Sequence, residues 1–401
     1  MRLEISRATP FLLLCLAASA DAEKHYGPGA TDAEIKLGQT MPYSGPISAL
    51  STVGKAQSAY FEMVNAQGGV NGRKVKLISL DDGYNPAKTV EQTRRLVEDD
   101  GVLGLFSPLG TVTNEAIHKY VNDRKVPHLF IANNLRRFSD PEHHPWTVPS
   151  IRPSFYHEAK AYAQYILRVR PNAKIAILHG NEDTGKEYFS GLMDVLGARA
   201  GSMLLAEATL DMSDPSIDSQ IIALHSSGAD TLITVAGPKH CAMAIRKLYD
   251  LQWRPLHIVP FFCSALKAVL QTVGYEKAEG LVSSAVAKDP ADPQWRDDAA
   301  TKDYLAWAQK WFSQGDPLDW DNVLGYSAAQ LMVHVLGQCG DDLSRENLLR
   351  QATNVTDLQL PMLLPGIKVN VTPTDYLPVK NMQMIRFDGK RWVRIGDLVG
   401  R

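Results

Sequence analysis

Apolar and polar residues along this chain alternate between two rhythms. The stretch at 34–40 (EIKLGQT) has the two-residue alternation of a strand, and Ile47, Leu50, Val53, Ala56, Tyr60 and Met63 then fall at helical spacing across 46–66. The QGGVNG run at 67–72 ends that helix and turns into a strand over 74–80. Asn85 and Pro86 supply an N-cap and a first-turn proline for a helix over 87–99. Strand, helix and strand follow at 102–106, 112–121 and 126–131. The sum is βαβαβαβ, which predicts a parallel sheet covered on both faces.

The apolar, proline-bounded PWTVP at 145–149 reads as a crossing strand, after which the alternation starts again. Helices are predicted at 155–168, 185–196, 215–226, 242–251 and 264–273, with strands at 174–179, 203–208, 231–235 and 256–260. Past the polar connector KDPADP at 288–293 come helices at 299–312, 322–336 and 345–352. A hairpin then closes the chain over 382–387 and 392–395 around Asp388 and Gly389. Two α/β units in tandem, then late helices and late strands, suggest a chain that returns to each unit in turn. The expected lobes are 23–148 plus about 288–356 and 149–287 plus about 357–401, with a hinged cleft between them.

Composition limits what such a cleft meets. With 401 residues, 45% of them hydrophobic, the chain can bury a sizeable core, and a net charge of -2 gives it no basic field for nucleic acid. Arg2 and Arg7 precede an apolar stretch at 11–18, and Ala20-Asp21-Ala22 offers a small-residue cleavage site, with 18–20 as the alternative. Residues 1–22 therefore read as a secretory leader. A lipid anchor on Cys15 is disfavoured by the bulky Leu14 before it and by its place mid-way in the apolar run. No later segment approaches the roughly 20 uninterrupted apolar residues of a membrane span, so a soluble, monomeric exported chain is expected. It would keep Cys241, Cys263 and Cys339, an odd set in apolar or helical surroundings. Buried free thiols are one reading. A Cys241–Cys263 bridge is the other, since each lies just past a predicted strand end. Neither a metal cluster nor a cofactor motif is recognisable.

The segment HGNEDTGKE at 179–187 places Gly180, Gly185 and Lys186 as a phosphate loop would, but Glu187 takes the hydroxyl position and Glu182 and Asp183 would repel phosphates. What survives is its place, after a parallel strand and before a helix, where ligands of open α/β sheets bind. The equivalent segment of the first unit is FSPLGTVTN at 106–114. There Gly110 permits close approach, and Thr111 and Thr113 offer hydroxyls beside free N–H groups, an arrangement suited to a carboxylate; equally, Thr111 serves as a helix cap. Other strand ends contribute Tyr43 and Ser44, then Ala132, Asn133 and Asn134, then Gly237 and Pro238, and finally Phe261 and Phe262. Ser44 has no histidine nearby in sequence. His143, His144 and His240 lie in unrelated contexts, and Asp81 and Asp82 read as a solvated strand end. Binding groups without a nucleophile–base–acid set point to capture without chemistry.

IKLGQTMPYSGP, VNAQGGVNGRKVKLISLDDGYNP, KTVEQTRRLVEDDGVLGLF and ILHGNEDTGKEYFSGL together resemble the type I periplasmic solute-binding proteins. More narrowly, the chain is similar to the leucine/isoleucine/valine-binding group of ABC importers. The resemblance spans essentially the whole mature chain. It implies an α/β fold of two Rossmann-like lobes with parallel sheets, a three-crossing hinge, a small-molecule ligand between the lobes and an inner-membrane ABC permease as partner. The family's carboxylate-holding loops correspond to 108–111 and 132–134. Thr111 matches, whereas Pro108, Leu109 and Gly110 stand where small hydroxyl residues are usual. Thr184 and the pair Phe261 and Phe262 fill the places of the family's tyrosine and acid, for which Glu182 or Asp183 would have to compensate. These departures favour a carboxylate or amide with an apolar or aromatic body, packed by Tyr43, Leu109 and Phe262, over an α-amino acid. Two rivals share the fold type: a ligand-sensing module of a signalling or amide-responsive regulator, and an exported α/β enzyme. The Asn-Val-Thr sites at Asn354 and Asn370 read as chance matches to glycosylation acceptors.

Overall fold

A computed structural model describes residues 24–400; the leader expected at 1–22 lies outside them. One sheet holds β1 (Glu34–Met41), β2 (Lys74–Asp81), β3 (Gly104–Phe106), β4 (His128–Ile131) and β5 (Thr147–Pro149). All are parallel, in the order β2-β1-β3-β4-β5. Helices α1 (Thr52–Ala66), α2 (Pro86–Arg94) and α3 (Thr111–Asp123) connect them. The second sheet begins beyond α4 (Phe155–Val169) with β6 (Ile175–Gly180), β7 (Leu204–Leu210), β8 (Thr231–Val235), β9 (Leu256–Ile258) and β10 (Val282–Ala285). These are linked in part by α5 (Asp183–Leu196), α6 (Asp218–Ser226) and α7 (Pro238–Asp250). Its order is β7-β6-β8-β9-β10, extended by the antiparallel hairpin of β11 (Asn381–Phe387) and β12 (Trp392–Gly400).

Both parallel sheets thus have the doubly wound order 2-1-3-4-5. Each has a switch point where connections leave to opposite faces, between β1 and β3 and between β6 and β8. Strands covered on both faces are buried along their whole length, as are all of His128–Ile131 and Thr231–Val235, and are mostly apolar. The chain passes between the sheets three times, after β5, after β10 and before β11. Between the last two crossings, α8 (Ala299–Trp311), α9 (Trp320–Cys339) and α10 (Arg345–Ala352) return to the first lobe, where α9 lies along α1. Gly325 permits that approach, since a Cβ there would sit 2.5 Å from the Val53 carbonyl oxygen. The contact brings the start of α9 to the cleft.

Some expectations needed revision. Thr147–Pro149 is not itself the crossing but an edge strand of the first sheet, and the crossing follows it. β10 went unanticipated because Ser283 and Ser284 interrupt its apolar run, yet both are buried in mid-sheet. The helix expected at 264–273 is a wide turn over Leu266–Leu270 followed by a single α turn, Gln271–Val273. The free-thiol reading fails for Cys241 and Cys263, which are bonded to each other with Cα atoms 6.1 Å apart; Cys339 is free and buried. Neighbouring strands β8 and β9 bring their carboxyl ends together, and each cysteine follows one of those ends. Among the described residues no helix is long and apolar enough to cross a membrane.

Candidate functional site

The two switch points face each other across a cavity of about 140 Å³. On the same measure one water needs roughly 10–15 Å³, so the space suits a solute on the order of ten non-hydrogen atoms. Its apolar lining comes from Ile47, Leu50, Val53 and Leu109 on one side and Phe155, Met212, Val235, Phe261 and Phe262 on the other, with Leu324 and Ala328 of α9 between them.

Ten of the residues anticipated from sequence border this space: Leu109, Gly110, Thr111, Ala132, Asn133, Glu182, Thr184, Gly237, Pro238 and Phe262. They come together because each follows the carboxyl end of a strand. Four others do not line it. The Tyr43 hydroxyl is engaged with Ser79 Oγ at 2.7 Å, and Ser44 donates to Asp81 from both N (3.0 Å) and Oγ (2.8 Å). Asn134 Nδ2 donates to the Ser150 and Arg152 carbonyls at 3.2 and 2.7 Å, so it shapes the first crossing. Asp183 lies at the rim, paired with Arg137 at 2.7 Å and Lys186 at 3.3 Å.

Thr111 does not cap α3, and its hydroxyl, which borders the cavity, is engaged within the protein. Its Oγ1 accepts from Asn133 Nδ2 at 2.7 Å and shares a 2.8 Å hydrogen bond with Thr184 Oγ1 of the opposite lobe. Thr113 Oγ1 turns back to the Leu109 carbonyl at 2.7 Å. A second bond across the cleft runs from the Tyr84 hydroxyl to Glu182 Oε2, 3.1 Å. Burial raises the pKa values of both Glu182 and Tyr84, and the neighbouring Glu182 charge raises that of Tyr84 further. Gly110, at φ 120°, is required here: a Cβ would lie 2.5 Å from both Thr113 Oγ1 and the Tyr84 ring.

Helix starts divide into two kinds. α2, α4, α8, α9 and α10 begin under side-chain caps from Asn85, Ser154, Asp298, Asp319 and Ser344. By contrast α1, α6, α3, α5 and α7 have no side-chain cap, and of these α3, α5 and α7 have starts, at Gly110, Glu182 and Gly237, that border the cavity. The first N–H groups of these three and the positive ends of their dipoles face the cleft.

Sequence reasoning missed Gln57, Tyr84, Ser107, Arg152 and Asp321, all of which border the cavity. Gln57 Nε2 donates to Ser107 Oγ at 2.8 Å, and Gln39 Nε2 donates to Gln57 Oε1 and to the Phe106 carbonyl, forming a polar floor. Tyr84 and Ser107 sit in the left-handed region at φ 58° and 54°, a strain that concentrates at ligand sites. A usable signal existed for Arg152 alone, which stands between Pro149 and Pro153, just past the 145–149 stretch that the pattern singles out.

Two lobes with facing switch points and a walled cavity between them define a cleft-binding protein. Residues 34–391 match the family model described as periplasmic binding protein, and the chain belongs to that family. A Leu/Ile/Val-binding protein homolog from Brucella abortus (strain 2308) is 22% identical over 255 residues, 61% of this chain and 62% of that one. The match thus spans about three fifths of the length of such curated relatives. A branched-chain amino acid ABC transporter protein from Thermus thermophilus, solved with bound valine, superposes with a TM-score of 0.83 at 14% identity, covering 92% of this chain and 97% of that one. A fatty acid ABC transporter substrate-binding protein from Thermomonospora curvata superposes with a TM-score of 0.78 at 20% identity, covering 94% and 95%. The α/β fold with parallel sheets and the type I periplasmic binding architecture stand on these matches, and the relatives are binding proteins.

Proposed function

We propose that this chain is the periplasmic solute receptor of an ABC importer. It captures a small organic carboxylate or amide with an apolar or aromatic body between its lobes and presents the closed complex to an inner-membrane permease. The observation that carries this reading is the convergence of three uncapped helix starts, from both lobes, on a cavity with a large apolar and aromatic wall. The starts of α3 and α7 favour a negative or acceptor-rich head group, Glu182 and Asp183 at the start of α5 oppose a negative charge beside them, and the aromatic wall favours an apolar body. Valine and fatty acids, which the names of two structural neighbours mention, share a carboxylate and an apolar body.

Closure shifts an open–closed equilibrium through contacts that only the closed form makes with both lobes. A bound solute therefore raises the melting temperature by mass action. The test is native mass spectrometry of the protein as purified, followed by a thermal-shift panel of branched-chain amino acids, amides and aromatic acids. A co-purified solute recovered unchanged supports capture. Turnover of the stabilising solute, or no stabilisation by any member of the panel, overturns the reading.

A further inference from the structure

Two charged side chains on the cavity wall, Arg152 and Asp321, make no side-chain hydrogen bond and no close ion pair among the described residues. Arg152 stands on the first crossing, with its guanidinium 4.6 Å from the centre of the Phe261 ring. Its Nε is buried with no hydrogen-bond partner, and no ion pair reaches it among the described residues. Burial pulls its pKa down to about 10, so it remains a cation at neutral pH. Behind it lies buried Glu158, which accepts from the Tyr162 and Tyr188 hydroxyls, Ser284 Oγ and Phe261 N. Four donors saturate that carboxylate. It supplies Arg152 with a field and no hydrogen bond. A half-buried guanidinium whose buried Nε has no acceptor is costly until one arrives, and Arg152 borders the cavity from which a ligand can supply one.

We propose that Arg152 receives the ligand's carboxylate and makes this cleft select acids over the corresponding amides, an inference that rests on the solute-binding reading above. A carboxylate brings two acceptor oxygens and the opposite charge, and it satisfies Arg152 and the starts of α3 and α7 together. An amide of the same shape turns an NH2 group toward those donors and brings no charge.

Asp321, in the first turn of α9, borders the same space with no partner for its side chain. Burial, then Asp319 on the loop before α9, pushes its carboxyl up to about 7; Arg152 on the first crossing opposes this and Asp289 on the second adds to it. An anion seated on Arg152 weakens that opposition and raises Asp321 further. Acid binding near pH 7 therefore takes up a proton at Asp321.

The experiment is isothermal calorimetry on the full chain with benzoate and 4-methylpentanoate against benzamide and 4-methylpentanamide, each in two buffers of different ionisation enthalpy. The acids are expected to bind roughly 10- to 100-fold more tightly than the amides, the loss that follows when a charged group loses its partner. Arg152→Met erases that preference, and Asp321→Asn keeps it while removing the proton uptake. Arg152→Met is expected to melt no lower than the wild type without ligand, because it removes a half-buried charge whose Nε has no acceptor, and Arg152→Lys restores part of the preference. Amides that bind as tightly as acids, or a preference that survives Arg152→Met, overturn the assignment and leave the solute-binding role standing. If acids, amides and branched-chain amino acids all fail to bind, the solute-binding reading falls with it.

Discussion

The two lobes share one strand order but build their walls of the cleft from different materials. In the first lobe a hydrogen-bonded chain of side chains backs the wall and reaches it at Gln57 and Ser107: Tyr43 to Ser79, Ser79 to Gln39, Gln39 to Gln57 and Gln57 to Ser107. In the second lobe aromatic rings set it, with Phe155, Tyr188, Phe261 and Phe262 in mutual contact. Those rings are held by two fastenings, the Glu158 cluster beneath them and the Cys241–Cys263 bond at their edge. A directional polar chain fixes positions by geometry, whereas rings slide unless something tethers them. The second wall should therefore be the more vulnerable to loss of one anchor.

The largest effect is expected at Glu158. Replacing it with Ala leaves the buried Tyr188 hydroxyl and Phe261 N–H without an acceptor and throws the Tyr162 hydroxyl back on Val259 O and Ser284 Oγ, at 3.1 and 3.3 Å. By the cost of breaking a buried charged network, the second lobe should lose about 3–5 kcal/mol in urea unfolding. If Gln39→Ala costs the first lobe as much, the contrast between the walls is wrong. Next comes the disulfide, which closes a loop across a separation of 22 residues. Loop entropy assigns it about 3 kcal/mol, so replacing both cysteines with Ser should lower the second lobe's stability by about that much and weaken binding of any ligand that stacks on Phe262. Unchanged melting of the double variant would show that the aromatic wall needs no tether.

How far the sequence revealed each wall follows the same division. Strand ends are set by local pattern, so Leu109, Gly110, Thr111, Asn133 and Thr184 were reachable by reading where strands stop and helices start. Tyr43 was assigned to the cleft on that same logic and lies outside it, because Ser79 on the neighbouring strand captures its hydroxyl. Position after a strand does not fix side-chain direction. Arg152 and Asp321 escaped for another reason. One lies on a crossing and the other starts a helix that joins the first lobe about 170 residues later, so only the assembled molecule places them on one wall. The disulfide was legible as an alternative, and only strand adjacency decided it.

Smaller effects belong to the junction where the walls meet. Thr111→Val keeps the shape but removes the bond to Thr184 and leaves Asn133 Nδ2 without its acceptor. With the lobes parted, water from the cleft can reach the Asn133 amide, so the ligand-free lobes should keep most of their stability while ligand affinity falls by roughly tenfold, the worth of about one hydrogen bond made only on closure. A matching drop in the melting temperature of the ligand-free protein would place Thr111 in the fold rather than in closure.

The smallest expected effect tests whether the junction responds to pH. Glu187 of α5 accepts the Arg136 N–H of the first lobe at 2.7 Å, and its other oxygen is buried without a partner. Burial pushes its carboxyl up to about 7, against the opposing pull of Arg136 and Arg137. When the lobes part, water reaches the group and its value relaxes toward the ordinary carboxylate range. The closed form therefore holds the extra proton. Between the ordinary value and about 7 it is favoured as pH falls and loses that advantage as pH rises. Full burial would set a ceiling of about tenfold per pH unit, and partial exposure reduces this to a few-fold loss of affinity from pH 5 to pH 8. Glu182 and Asp321 are raised by burial as well, so the wild-type profile mixes several groups. The difference between wild type and Glu187→Gln isolates this one. Parallel profiles for the two proteins would mean that Glu187 does not titrate with closure, and would leave the junction to Thr111, Thr184, Tyr84 and Glu182.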